Sequence, residues 1–198
     1  MSEARVGRPV VPVIYGSVRS ERQGIKAARF MVAELERRGC EAVLVDPLEY
    51  QLPLLDKMYN EYESGAAPEI LEKLATLYRR ADGFVIVSGE YNHGVPPALK
   101  NLLDHFLEEY FWRPSAIVCY SGGQFGGVRA AMQLRMILGE LGMPSIPTLL
   151  PIPKVGESFD DSGVPLRPKF VEHNEAFFTE FFWYLEALQE KRKDGTPS

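Results

Sequence analysis

Three short stretches of this chain combine residue types that can hold an anion and a flat ring. The first, Gly16 to Gly24, reads GSVRSERQG and brings two hydroxyls, Ser17 and Ser20, together with two guanidinium groups, Arg19 and Arg22. Gly16 allows a sharp turn, and the stretch runs into a helix whose first amides lack intrahelical acceptors and favour an anion. Arginine forks beside such amides suit a terminal phosphate. The pattern is neither GxGxxG nor GxxxxGK[ST]. The alternative is a solvated turn with incidental arginines.

The second stretch, Ser88 to Pro97, reads SGEYNHGVPP. Gly89 and Gly94 permit positive φ or close backbone approach. Tyr91 and His93 can lie against a ring, and Asn92 and the loop amides can pair with a heterocycle's polar edge. The third, Ser121 to Gly127, has four glycines in seven residues, so a ligand can reach its backbone amides. An ordinary β–α turn and a flexible hinge are the respective alternatives.

The elements around these stretches place all three at one edge of a sheet. Short apolar runs at Val10–Tyr15, Glu41–Asp46, Gly83–Ser88, Ser115–Tyr120 and Ser145–Leu150 read as strands. Helical spacing appears over Lys26–Arg38, Pro68–Arg80, Pro96–Tyr110, Gly127–Leu141 and Val171–Lys191, with Gly39 placed to stop the first. Long loops are expected at Pro47–Ala67 and Pro151–Pro168. Strand and helix alternate, and the strands are continuous apolar runs, as in a parallel sheet covered on both faces. The expected architecture is α/β: a three-layer, doubly wound, five-stranded parallel sheet. In such sheets ligands bind at the C-terminal strand edge where the strand order reverses.

The chain has 198 residues, 45% hydrophobic and 25% charged, which predicts one domain over 1–198 with tails at 1–8 and 192–198. A net charge of −5 argues against a nucleic-acid binder, though a small basic pocket is compatible with it. No apolar run is long enough to span a membrane, and Val10–Tyr15 is too short for a signal-peptide core. Two distant cysteines, Cys40 and Cys119, form no CxxC or metal-ligand spacing, and the default is a reduced, cytoplasmic protein with no metal site.

On the GSVRSERQG loop, the SGEYNHGVPPALKNLLDH segment from Ser88 to His105 and the SGGQFGG loop from Ser121, the chain resembles the NAD(P)H-dependent FMN reductase family of the flavodoxin-like fold. The middle segment is the most specific: a Tyr-Asn turn at Tyr91 and Asn92, a proline, then Leu99, Lys100, Asn101 and Asp104. The resemblance spans Val10 to Leu150. It implies strand order 2-1-3-4-5 and non-covalent FMN. Ser17, Arg19, Gln23 and Gly24 would hold the phosphate, with Arg22 able to strengthen it. Glu90, Tyr91, Asn92 and His93 would frame the flavin ring, and Ser121, Gly122 and Gly123 would approach its other edge. Glu90 stands where many relatives have proline, and Arg22 where a small hydroxyl residue is common. The implied activity passes hydride from NADPH or NADH to FMN and then to a small acceptor such as free flavin or a quinone. No catalytic side chain is obligatory, because the cofactor carries the chemistry. A flavodoxin-type electron carrier or a non-catalytic interaction protein on the same fold are the alternatives.

The remaining candidates have plainer readings. His105 reads as a helix-surface or interface residue, Cys119 as core and Cys40 as partly exposed. Asp104 and Glu108 have no evident partner charge. Two aromatic clusters, Phe106 to Trp112 and Phe177 to Tyr184, exceed one core stripe, so some rings are expected to be buried in a partner. With the family's habit, this implies a homodimer or homotetramer.

Overall fold

The structure is a computed structural model that describes residues 7–197. Five strands, β1 (Val10–Tyr15), β2 (Glu41–Val45), β3 (Phe84–Ser88), β4 (Ser115–Tyr120) and β5 (Ser145–Ile152), form one parallel sheet in the order β2-β1-β3-β4-β5. Every residue of β1, β3 and β4 is buried, which is why these strands read as unbroken apolar runs.

Helices cover both faces. α1 (Gly24–Arg37) and the last helix, α6 (Glu175–Arg192), pack on the face carrying Val11, Val13, Val85, Val87 and Val118. α2 (Glu69–Arg80), α3 (Pro97–Asp104) and α4 (Val128–Glu140) pack on the face of Ile14, Phe84, Ile86, Ile117 and Cys119. A four-residue helix, α5 (Phe170–His173), precedes α6. The expected order of elements and the doubly wound layering are observed.

β5 has a local irregularity with a physical cause. Ser145 pairs with Ser115, but Leu149 pairs with Ile117, so the strand bulges around Pro147, which has no amide to donate. Side chains satisfy the displaced backbone: Arg135 donates to the carbonyls of Ile146 and Pro147, and Glu180 accepts from the Thr148 amide at 2.8 Å.

Several expectations are corrected. The helix over Pro96–Tyr110 ends at Asp104, and a 3₁₀ turn follows at Glu108–Tyr110. The break lets Phe106 and Tyr110 turn inward against Tyr78 and Phe84, with ring centroids 5.0 to 5.5 Å apart. His105 is buried, with Nδ1 2.7 Å from the Asn101 carbonyl, rather than on a surface. Asp104 does have a partner charge, Lys100 one turn earlier. The last helix is divided at Asn174, whose Nδ2 donates to the Phe170 carbonyl. Cys40 is fully buried, as is Cys119.

The aromatic clusters are absorbed largely within the chain. Phe106, Tyr110, Phe177, Phe178 and Phe181 are all core residues, and only Trp183 of the second cluster is strongly exposed. Of the expected tails, residues 1–6 and 198 lie outside the described residues. Arg8 is fastened to the carbonyls of Gly39 and Cys40, and Arg192 to Asp82 and the Trp112 carbonyl.

Candidate functional site

The strand order reverses between β1 and β3, and the loops leaving β1, β3 and β4 meet there, at the C-terminal edge of the sheet. They enclose a cleft of about 400 Å³, within the range of small-ligand sites. The first loop contributes Ser17, Arg19, Glu21, Arg22, Gln23 and Gly24, the second Gly89, Glu90 and Tyr91, and the third Ser121 and Gly122 after Tyr120. A fourth segment, Lys154 to Glu157, closes the wall. Sequence reasoning missed it inside a long Pro/Gly-rich loop. The available signal was topological, since the end of β5 must reach the same edge as the other strands.

The cleft floor explains two glycines. A Cβ on Gly24 would sit 2.0 Å from Tyr120 Cζ, and one on Gly89 3.1 Å from it. The Tyr120 ring therefore occupies the space where those side chains would stand. Its hydroxyl lies 3.4 Å from that of Tyr15, and burial pushes both phenols up, so both stay protonated.

The two arginines of the first loop do different work. Arg22 grips Asp46 with both terminal nitrogens, at 2.5 and 2.6 Å, and donates to the Ser17 carbonyl. It lines the cleft, but its guanidinium is engaged in holding the loop to the end of β2. Arg19 is exposed, and its guanidinium has no partner among the described residues. No side chain caps α1, and Gln23 and Gly24 at its start line the cleft. Ser17 Oγ lies 3.1 Å from the Tyr91 hydroxyl, joining the first loop to the second.

Glu90 is only 10% exposed at its side chain, and its Oε2 accepts from the amides of Arg129 and Ala130 at 3.0 and 3.2 Å. It thus fills the anion-favouring start of α4 with the protein's own carboxylate. Ser121 Oγ accepts from the Gly126 amide and donates to the Gly123 carbonyl, so it folds the third loop. Gly122 faces open space: nothing lies within 4 Å of a Cβ placed there.

Three expected site residues are not on the cleft wall. Asn92 and His93 form the exposed middle of a tight turn, at φ of 50° and 65°, between Tyr91 and Gly94, which exchange two backbone hydrogen bonds. The Gly123 carbonyl is turned to the Lys154 amide at 2.9 Å, and Gly123 does not line the cleft.

An uncapped helix start beside a free guanidinium, with exposed glycine backbone and tyrosines farther in, fits a phosphate joined to a flat ring. Fold and site together define a flavodoxin-like protein for a phosphorylated cofactor. Among solved structures the fold is shared with FerB, described as a flavoenzyme NAD(P)H:(acceptor) oxidoreductase from Paracoccus denitrificans. That match has TM-score 0.73 and 22% identity, over 89% of this chain and 97% of that one. A flavodoxin from Pseudomonas aeruginosa aligns at TM-score 0.51 and 21% identity, over 89% and 98%.

Sequence comparison is more specific. Residues 9–157 match the profile of the NADPH-dependent FMN reductase family. An NAD(P)H-dependent FMN reductase of Schizosaccharomyces pombe is 33% identical over 199 aligned positions, 93% of this chain and 94% of that protein. A quinone reductase of Pseudomonas putida is 34% identical over 180, covering 86% and 91%. The chain belongs to the NADPH-dependent FMN reductase family: it is an NAD(P)H-dependent flavin oxidoreductase, with FMN and NAD(P)H as cofactors. Among the described residues, no helix is long and apolar enough to cross a membrane.

Proposed function

We propose that this cleft holds FMN and that the enzyme passes reducing equivalents from NAD(P)H to a small acceptor, free flavin or a quinone, in alternating half-reactions. The observation that carries the assignment is the free Arg19 guanidinium beside the uncapped start of α1. Ser17, Arg19 and the backbone at Gln23 and Gly24 hold the phosphate. Arg22 fastens that loop. Gly89, Glu90, Tyr91, Ser121 and Gly122 border the ring, while Asn92, His93 and Gly123 act through the shape of their turns. FMN supplies the two-electron chemistry when bound. The chain's own part is to clamp the phosphate, orient the ring and limit access of water. The names of relatives, quinone reductases and an NADPH azoreductase of Bacillus, support an open choice of acceptor.

The test is optical. FMN added to the purified protein should bind with a shifted visible spectrum, and anaerobic NADPH should bleach it. Bound flavin left oxidised would indicate an electron carrier, and absence of FMN binding would remove the redox reading.

The same reading includes one domain around the sheet, a cytoplasmic location and a homodimer or homotetramer. Two free, buried cysteines are compatible with a reducing compartment. Phe125, Met132 and Met136, all exposed along α4 and the loop before it, support self-association. Sedimentation of wild type and Met136→Glu checks this; a monomeric wild type would exclude it.

A further inference from the structure

A second cavity, of about 560 Å³, lies outside the flavin cleft, between the end of β5 and α5. Pro153 walls this shelf and the next residue, Lys154, walls the cleft, so consecutive residues after β5 border the two concavities. We propose that the shelf receives the adenosine end of the nicotinamide dinucleotide and reads its 2′-phosphate. This rests on the reductase reading, which supplies the dinucleotide, and extends it to residues outside the cleft.

The charge pattern points to a phosphate. Arg167, Lys169 and His173 line the shelf, and no acidic side chain does. Other cations of α1 and the loop before it are paired: Arg22 with Asp46, Lys26 with Asp161, Arg38 with Glu175. The side chains of Arg167 and Lys169 have no hydrogen-bond or ion-pair partner among the described residues. Unpartnered cations on the wall of one concavity suit a dianion better than a neutral ligand.

The apolar part points to a flat heterocycle beside that dianion. Phe170 and the rings of Pro151, Pro153 and Pro168 form the rest of the wall. Phe170 is held edge-on by Phe30 and Phe159, at centroid distances of 5.4 and 5.3 Å. The preceding loop is fixed to α1: Lys26 pairs with Asp161 at 2.9 Å, Arg29 donates to the Asp161 carbonyl, and the Gly163 backbone packs against Phe30. The shelf is thus preformed, which limits the ordering cost of binding. Nicotinamide must enter the cleft to react, and a dinucleotide carries its purine and 2′-phosphate at the opposite end. The shelf offers an aromatic surface and a cation pair for those two groups.

The test uses the FMN-loaded protein and the Arg167→Ala/Lys169→Ala double variant. By calorimetry, wild type should bind adenosine 2′,5′-bisphosphate about tenfold or more tightly than 5′-AMP, and the variant should lose that preference. The KM for NADPH should rise about tenfold or more in the variant, with kcat and the KM for NADH held within about twofold. Equal effects on NADH and NADPH, no effect on either, or inorganic phosphate binding as tightly as the bisphosphate would each overturn the proposal. If the alanine variant does not fold, Arg167→Gln/Lys169→Gln tests the same charges with their stems kept. Wild type that NADPH bleaches but that ignores the bisphosphate refutes the shelf alone. Wild type that never binds FMN refutes the underlying reductase reading.

Discussion

Arg22 and Asp46 form a two-pronged ion pair, at 2.5 and 2.6 Å, that ties the loop after β1 to the end of the neighbouring strand β2. Asp46 is buried and also accepts from the Leu48 amide at 2.9 Å, so it is held from both sides. The pair fixes the Ser17 carbonyl through a third hydrogen bond from Arg22. The loop proposed to receive the phosphate is thus pre-set by a side chain that does not itself remain free.

The two arginines should therefore separate on substitution. Asp46→Ala strands a guanidinium that is 16% exposed, and should cost about 2–3 kcal/mol, below the 3–5 of a fully buried pair. It should weaken FMN binding as well. Arg19→Ala should weaken FMN about tenfold while leaving stability within about 0.5 kcal/mol. Urea melts and flavin titrations of both variants check this; a stability loss in Arg19→Ala would contradict the free-guanidinium assignment.

Gly24→Ala should be destabilising by about 1–3 kcal/mol, because its Cβ would fall 2.0 Å from Tyr120 Cζ. Tyr120→Leu in the same background should recover part of that loss. A double-mutant cycle measures the coupling, and strict additivity would show that the ring is not what excludes the methyl group.

Glu90→Gln removes a charged cap from α4 and should cost about 0.5–2 kcal/mol. The same change takes one negative charge off the cleft wall, so binding of the anionic FMN should tighten. A lower melting temperature together with a lower flavin Kd, weaker folding but tighter binding, is the expected signature. Parallel weakening of both would mean that Glu90 contacts the cofactor directly.

Burial pushes the thiol of Cys40 up to about 11 and that of Cys119 up to about 12. In the unfolded chain thiols ionise near about 8.5. Their contribution to stability is therefore complete below that pH and declines as pH rises toward about 11, because only the unfolded state gives up the proton early. Thermal melts from pH 7 to 11 should show this decline, and Cys40→Ala should flatten it. Both thiols should stay unreactive to a disulfide reagent at pH 8 until denaturant is added.

Much of this architecture was legible along the chain. Unbroken apolar runs such as VVPVIY and FVIVS reported burial on both faces, and that alone implies a parallel sheet between helix layers. Glycine-bearing loops after β1, β3 and β4 marked the working edge, and the GEYNHG stretch carried the family resemblance. Local periodicity measures how one element meets its surroundings, but it does not say which neighbour it meets. Arg22 therefore read as a phosphate ligand, because nothing local shows that β2 delivers Asp46 beside it. Asn92 and His93 read as ring contacts, because the tight turn that lifts them off the wall depends on Tyr91 and Gly94 pairing. Lys154 to Glu157 joined the cleft only through the exit of β5, and most of the aromatic rings found partners across the core. Those placements come from strand register and long-range packing, which bring together residues far apart in sequence and so leave no spacing to read.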